Sequence, residues 1–204
     1  MGKVQADLTM SLDGYIAGPN DRPGNPLGDG GEKIHQWQRR TKSWRELIGL
    51  PGGENGQDND VFAESIANVR AYVMGRRMFD AVEEPWGENP PFHMPVFVAT
   101  HRGQESVSRN GGTTFHFVTE GVEAALARAK EAAGDADVKV SGGANVVQQL
   151  ARAGLLDELQ VHVSPIFLGG GVRLLDNLGP EVRLEPVHVL HSPFVTHIRY
   201  RFVK

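Results

Sequence analysis

The chain has 204 residues, 40% of them hydrophobic and 23% charged, and its formal net charge of −4 excludes the clustered basic surface of a nucleic-acid-binding protein. It contains no cysteine, which excludes disulfides, thiolate zinc sites and cysteine nucleophiles and is compatible with a reducing cytoplasm. No apolar run approaches the roughly 20 residues of a membrane span, so we expect a cytoplasmic protein without a membrane partner.

The first predicted elements are two strands within residues 3–17, bent at Asp13-Gly14. Apolar and more polar residues alternate up to Leu12, and apolar character resumes at Tyr15. An Asp-Gly pair favours a tight turn, so we assign Asp13 to turn formation rather than to chemistry.

Residues 18–60 differ in composition from the rest of the chain, being rich in glycine, proline and Asn/Asp, with one amphipathic helical pattern over residues 32–47. Loops of this length in compact domains are usually functional lids or disordered, and Trp37 and Trp44 favour an ordered, lid-like insertion over a cleft. Asp29, Glu32 and His35 could place a carboxylate or an imidazole over that cleft. Asp29 or Glu32 could equally serve the helix N-terminus.

After this insertion the pattern alternates between helices and strands and predicts a mostly parallel sheet covered on both faces. The last two segments, 182–191 and 195–203, predict an antiparallel hairpin at the sheet edge. The predicted helices are 61–68, 76–82, 121–133 and 144–153, and the remaining strands are 71–74, 95–99, 113–118, 138–141 and 158–164.

The most informative motif is the run from Ser141 to Asn145, with Gly142, Gly143 and Ala144 between them, at a strand-to-helix junction. A glycine pair there lets the backbone approach a ligand, and the free N–H groups of the helix start favour an anion such as phosphate. A simple tight turn is the alternative. Neither the dinucleotide fingerprint G-x-G-x-x-G nor the P-loop occurs, so a nucleotide must be held in another way.

Two further strand ends carry basic residues. Gly75, Arg76 and Arg77 follow one strand, and Thr100, His101 and Arg102 follow another. Ligands of open α/β sheets bind at the carboxyl ends of the strands, and arginine forks suit phosphate oxygens, including the 2′-phosphate of NADP. A solvated surface pair is the alternative for each. The histidines, among them His162, His191 and His197, lack metal-ligand spacing, so we predict no metal site.

In combination, five stretches resemble the dihydrofolate reductase superfamily, and within it the reductase domain of bifunctional riboflavin-biosynthesis deaminase–reductases and its stand-alone bacterial relatives. The stretches are TMSLDGYIA at 9–17, VMGRRMF at 73–79, VFVATHR at 96–102, VSGGANV at 140–146, and the segment from LLDEL to PIFLGGG at 155–171.

The resemblance implies one α/β domain over residues 1–204, with a central mixed sheet of about eight strands, flanking helices and a C-terminal antiparallel hairpin. It also implies NADPH across the strand ends: the pyrophosphate at residues 142–145, the adenosine side at residues 75–77 and 100–102, and the nicotinamide beside Thr9 and Ile16. We expect a homodimer, with Trp37, Trp44 and Phe92 as interface or lid aromatics.

Two functions follow from these observations. The first is an NADPH-dependent reductase of a pterin-like, pyrimidine-like or ribosylamino substrate, in which water or a lid carboxylate, Asp29 or Glu32, supplies the proton. The second is a non-catalytic NADP-binding protein of the same fold. The choice between them depends on whether an acid faces the substrate.

Overall fold

A nine-stranded mixed sheet organises the protein, and the computed structural model describes residues 2–204. The strand order is β10-β11-β8-β1-β7-β3-β4-β6-β5. The strands are β1 Val4–Ser11, β3 Val69–Gly75, β4 Pro95–Ala99, β5 Val107–Ser108, β6 Thr114–Val118, β7 Asp137–Gly142, β8 Glu158–Ser164, β10 Leu184–His191 and β11 Thr196–Phe202.

The six central strands from β8 to β6 run parallel, and the strands at both ends are antiparallel. The predicted C-terminal hairpin is confirmed as β10 and β11. The ninth strand, β5, has only two residues and no sequence pattern of its own. A separate two-stranded sheet pairs β2 (Tyr15–Ala17) with β9 (Val172–Arg173) and was not predicted.

Helices cover the sheet on both faces, as the alternation predicts. α5 (Val122–Ala133) and α6 (Ala144–Arg152) bury one face, which we call the apolar face, where strand residues such as Ala6, Val140 and Val161 join one large core. On the opposite face α4 (Arg76–Trp86) packs Phe79 against a second core over β3, β4 and β6.

The predicted lid-like segment covers the rest of that second face. The predicted helix over residues 32–47 is three short pieces: a 3-10 helix Gly31–His35, α1 Gln36–Arg40 and α2 Lys42–Leu47. The helix is interrupted at Thr41, which has an extended backbone. Its hydroxyl accepts a hydrogen bond from the Trp44 N–H and so caps the start of α2. α3 (Gln57–Ala67) begins earlier than predicted. Among residues 2–204, no helix has the length and apolarity needed to cross a membrane.

Candidate active site

A row of polar side chains crosses the face of the sheet opposite α5 and α6. The strand register aligns Tyr72 with Lys139, and His162 with His197, while Asp7 lies on β1 between these pairs. Since side chains alternate across a strand, these residues share one face while their neighbours enter the apolar core. We call this surface the polar face; Thr9, Ser11, Ser141, Gln160 and Ser164 also belong to it.

Asp7 is the centre of this row, and its side chain is only 7% exposed. The Lys139 ammonium lies 2.8 Å from Asp7 Oδ2, and His162 Nε2 lies 2.8 Å from Asp7 Oδ1. Burial alone would raise the pKa of Asp7, but the charges of Lys139 and His162 and their hydrogen bonds hold it well below its usual range. Asp7 is therefore a carboxylate that two neighbours keep ionised.

The row continues from His162 toward the outside of the protein. His162 Nδ1 lies 2.6 Å from His197 Nδ1, and His197 Nε2 lies 3.2 Å from Asp58 Oδ1 on α3. Both imidazoles are 3% exposed, and burial, followed by the adjacent His162, lowers the pKa of His197. Trp37 covers the pair, with ring centroids 4.5 Å from His162 and 4.9 Å from His197.

A cavity of about 390 Å³ opens above the polar face. Its floor includes Asp7, Thr9, Lys139, Ser141 and His162, and its walls are mostly aromatic and aliphatic. The lid-like segment contributes Leu27, Trp37, Trp44 and Leu47, and the sheet and α4 side contributes Tyr72, Met78, Trp86 and Phe92. A concave, mostly apolar site with a few convergent polar groups is the usual form of a small-molecule site.

His35 also lines the cavity, from the 3-10 helix of the lid-like segment. Burial lowers its pKa to about 4, with Gln38 opposing that shift through a hydrogen bond. The ring is therefore neutral at pH 7, so His35 contributes a hydrogen-bonding group and no charge.

The predicted glycine run at residues 141–145 lies beside this cavity, next to Gly75 at the end of β3. We call this part of the sheet the glycine edge. The carboxyl ends of β3 and β7 approach so closely that a Cβ on Gly75 would lie 3.0 Å from Val146 Cγ2 and 3.7 Å from the Gly143 nitrogen. The Gly142–Gly143 peptide bond is cis, and Gly142 has a φ of +119°. A Cβ on Gly143 would meet nothing within 4 Å, so open space lies in front of the start of α6. The close approach at Gly75 and the open space at Gly143 fit a ligand whose anionic part lies against the backbone.

The predicted arginines lie at the same sheet edge, each bound to a carboxylate. Arg76 Nε donates to Asp80 Oδ1 at 2.6 Å, and Arg102 binds the other oxygen of Asp80. Arg77 binds Asp21 at 2.5 Å. Three guanidinium groups thus share two carboxylates, which leaves one positive charge in excess for an anionic ligand.

The other predicted residues are divided between these two regions. Thr9 and Ile16 line the cavity, and Thr9 Oγ1 accepts a hydrogen bond from Trp37 Nε1 at 3.2 Å. Thr100 is buried and binds the backbone N–H of Arg102, whereas His101 is exposed. Ser141, the first residue of the glycine run, also lines the cavity, so the two regions are continuous.

The two carboxylates predicted as proton donors are not brought to the cavity. Asp29 is exposed and accepts hydrogen bonds from Asn20 and Asn25 within its own loop. Glu32 is exposed and does not line the cavity. Their surface positions give no support to that prediction.

Asp13 has a wider role than turn formation. Its carboxylate accepts hydrogen bonds from Ser11 Oγ and from the backbone N–H groups of Leu168 and Gly169. Burial raises the pKa of Asp13, but the hydrogen bonds from Ser11, Gly169 and Leu168 together outweigh that effect and lower it to about 2. Asp13 therefore connects the β1–β2 turn to the loop that follows β8.

Sequence reasoning missed Asp7, Lys139 and Asp58, and the only chemical role that it considered for His162 and His197 was metal binding. A signal was present: β1, β7 and β8 alternate between aliphatic residues and polar residues such as Asp7, Lys139 and His162. Among residues 2–204, no group of three or more His, Asp or Glu side chains is placed to hold a metal ion.

The aromatics predicted to form a lid or an interface pack within the chain. Trp37 and Phe62 form a small core with Val195, Trp44 stacks edge-on against Phe62, and Phe92 packs in the second core. The large exposed apolar side chains lie elsewhere, and they include Phe167, Val187 and Val189. The homodimer stays a prediction.

The family model of the RibD C-terminal domain matches residues 2–197. The chain belongs to this family. A curated relative, the uncharacterized protein YwjB of Bacillus subtilis strain 168, is 26% identical over 129 residues, which is 63% of this chain and 71% of that protein.

Three solved structures are similar over 99 to 100% of this chain. They are a putative riboflavin biosynthesis protein from Shewanella sp. PV-4 (TM-score 0.68, 21% identity, 99% of that chain), RibD from Acinetobacter baumannii (0.62, 15%, 59%), and dihydrofolate reductase from Enterococcus faecalis complexed with NADP(H) and RAB-propyl (0.59, 15%, 98%). At these identities the likeness shows the fold, and it confirms the predicted dihydrofolate reductase-like architecture.

Proposed function

We propose that the protein is an NADPH-dependent reductase of an uncharged, planar heterocycle. The observation that carries this proposal is the Asp7–His162 acid–base pair on the floor of an aromatic cavity that adjoins the glycine edge. Membership of the RibD C-terminal domain family supports a reductase-type activity. The dinucleotide would supply a hydride to one end of a substrate double bond, and the chain would supply the proton.

The residues at the sheet edge fit such a cofactor. The bare backbone of Gly142 and Gly143, with open space before α6, suits a pyrophosphate. The three arginines at positions 76, 77 and 102, which we call the arginine group, suit a ribose phosphate. The nicotinamide would then lie toward Thr9, Ile16 and Ser141, which border the cavity. This arrangement would bring the hydride donor and Asp7 to one substrate.

The lining of the cavity supports the choice of substrate. Among the described residues that line it, Lys139 and His162 are paired with Asp7, and Arg39 is exposed. A phosphate on the cavity floor would lie against the Asp7 carboxylate, whose cationic neighbours are already paired with it, so a phosphoribosylamino compound is a poorer fit than an uncharged ring. A flat pterin-like or pyrimidine-like ring suits the aromatic walls, and an N–H group of such a ring could pair with Asp7.

The test is NADPH oxidation against dihydrofolate, a ribosylaminopyrimidine with and without its phosphate, and small quinones and imines. We expect turnover with an uncharged ring compound. Turnover should be abolished in Gly143→Asp, since a Cβ there meets nothing within 4 Å and the new charge would face the pyrophosphate. Gly170→Asp, where the Cβ makes only an ordinary 3.5 Å contact with Pro19, is the matched control. NADPH binding without turnover of any acceptor would support the non-catalytic alternative.

A further inference from the structure

The contacts between His162 and its neighbours require more hydrogens than neutral rings possess. Three contacts join four groups in series: Asp7 to His162, His162 to His197, and His197 to Asp58. Each contact needs one hydrogen between its two atoms, but an ionised carboxylate brings none and a neutral imidazole brings one. Two neutral rings thus supply one hydrogen too few. The series is complete only when it holds one additional proton.

Placing that proton on His162 satisfies every contact. As an imidazolium, His162 donates from Nε2 to Asp7 and from Nδ1 to His197 Nδ1, which leaves the neutral His197 to donate from Nε2 to Asp58. This placement agrees with the environment, because burial and the adjacent His162 lower the pKa of His197. The pKa of Asp7 is likewise lowered by Lys139 and His162 against the effect of burial.

The series also connects the cavity to the outside. Asp7 and His162 line the cavity, whereas His197 lies behind them and does not. At the far end the Asp58 side chain is 17% exposed, and its second oxygen accepts a hydrogen bond from Ser192 Oγ at 2.9 Å. One end therefore meets a ligand and the other meets solvent.

We propose that the His162–His197 pair is the proton reservoir of the reductase. It is discharged through Asp7 into the substrate and refilled through Asp7 from solvent in the cavity, while Asp58 holds His197 in the tautomer that the stored proton requires. This inference rests on the proposed function. In the step, the His162 Nε2–H bond breaks and the proton passes to Asp7 and on to the substrate atom that gains electron density as the hydride arrives. His162 is left neutral. After the product leaves, one solvent proton from the cavity passes through Asp7 back to His162 Nε2, while the Nδ1–H of His162 and the Nε2–H of His197 stay in place.

Several charged or titratable groups face this pair and set its charge. They are Asp7 on β1, Lys139 on β7, Asp58 on α3, and His35 on the 3-10 helix. The two carboxylates favour an additional proton, whereas Lys139 and the apolar cover of Trp37 oppose it. The excess proton is therefore held only while both ends of the series are carboxylates.

The first experiment measures the proton directly in the whole protein without cofactor. ¹⁵N-histidine NMR at pH 7.5 should show one doubly protonated ring, assigned to His162 by its loss in His162→Gln, and a neutral His197. The exposed His188 serves as an internal reference. In Asp58→Asn the doubly protonated signal should become neutral at that pH. Two neutral rings in the unmodified protein would overturn the inference.

The second experiment measures proton supply during turnover. Asp58→Asn should lower kcat at least about tenfold and raise the solvent isotope effect, since general acid catalysis contributes on the order of 10²–10⁴ in rate. The NADPH dissociation constant should not change, because Asp58 contacts His197 on β11, three strands away from β7, which ends at the glycine run. Asp60→Asn removes the same charge from an exposed position of the same helix and should leave kcat unchanged. His197→Gln should have the same effects on kcat and on the solvent isotope effect as Asp58→Asn. Equal kcat values and isotope effects in all variants would refute the proton reservoir.

The two proposals fail in different ways. If no acceptor is reduced, the proposed function fails, while the NMR measurement still decides whether the pair holds an additional proton. If an acceptor is reduced but His162 is neutral and Asp58→Asn behaves like Asp60→Asn, the reductase survives and the reservoir does not.

Discussion

On the face of the sheet covered by α5 and α6, strands β1, β7 and β8 present only aliphatic side chains, whereas on the opposite face the same strands present buried polar side chains. Successive side chains of each strand point to opposite faces, so the backbone geometry of the two faces is the same and only their side chains differ. A buried ion pair such as Lys139–Asp7 is weak evidence for stability, because desolvation offsets much of its attraction. The apolar face therefore accounts for the stability of the fold, whereas the polar face keeps charged groups buried beside the cavity, an arrangement typical of a functional site.

Asp7→Asn on the polar face is the change from which we expect the largest effect on activity and stability. It removes the acid–base group on the cavity floor, so we expect kcat to fall on the order of 10²–10⁴-fold. It also leaves Lys139 unpaired, which should destabilise the protein by about 3–5 kcal/mol. Steady-state kinetics and urea denaturation measure the two effects.

The double variant Asp7→Asn/Lys139→Met separates the loss of activity from the loss of stability. Removing both charges should recover most of the stability without recovering activity. If stability and activity return together, the polar face is structural, and the distinction between the two faces is lost.

Leu150→Ala tests the apolar face. Leu150 is fully buried on α6, and truncation of such a leucine costs about 2–5 kcal/mol. Because Leu150 does not line the cavity, kcat for the folded fraction should not change at a temperature where the variant remains native. A large loss of kcat with unchanged stability would contradict this assignment.

These two faces also explain what the sequence could predict. Alternation in β1 and β7 and the helical spacing of α5 and α6 predict the apolar face, since burial of aliphatic residues depends on periodicity alone. The glycine run at residues 142–143 predicts the ligand edge, because its backbone requirement is local. Both predictions need only neighbouring residues.

The polar face could not be predicted in this way. On a single strand, Asp7 or Lys139 resembles the solvent side of an edge strand, and only the pairing of β7, β1, β8 and β11 shows that these residues meet. His162 gave the same ambiguity on β8, where polar and aliphatic residues alternate. The proton-donor prediction fell on Asp29 and Glu32 because a nearby lid carboxylate was visible in the sequence, whereas strand register was not.

Arg76→Ala tests the cofactor preference at the sheet edge. We expect NADPH to bind more strongly than NADH, because Arg76, Arg77 and Arg102 supply one more charge than Asp21 and Asp80 neutralise. Loss of a charge-assisted phosphate contact should weaken NADPH binding by about 1.5–3 kcal/mol and leave NADH binding nearly unchanged. Titration of both nucleotides measures this.

Arg70→Ala is the control for that change. Arg70 is exposed near the start of β3, at the opposite end of the strand from Arg76, and binds only backbone carbonyls. Equal affinities for NADPH and NADH in the unmodified protein would refute the preference.

His35, which lines the cavity, makes the free energy of unfolding depend on pH. Its pKa is lowered to about 4 mainly by burial, so the native ring stays neutral while the unfolded chain binds a proton below about pH 6.5. The unfolded state then binds more protons, and stability present above pH 6.5 is lost as the pH falls toward 4. We expect a loss of about 1–2 kcal/mol over this window, given that the ring is partly exposed. His35→Gln should flatten the curve of unfolding free energy between pH 6.5 and 4, and an unchanged slope would contradict the role of His35.

Asp21→Asn should produce the smallest effect. Arg77 is 73% exposed and its pair with Asp21 joins α4 to the lid-like segment, so the contact contributes less than about 1 kcal/mol to stability. Removing the carboxylate frees Arg77 for a phosphate, and the excess charge of the arginine group rises by one. NADPH should therefore bind a few-fold more tightly at low salt, and the gain should disappear at high salt because an exposed charge is screened. A gain that NADH shares equally would mean that Asp21 acts on the lid-like segment and not on the phosphate site.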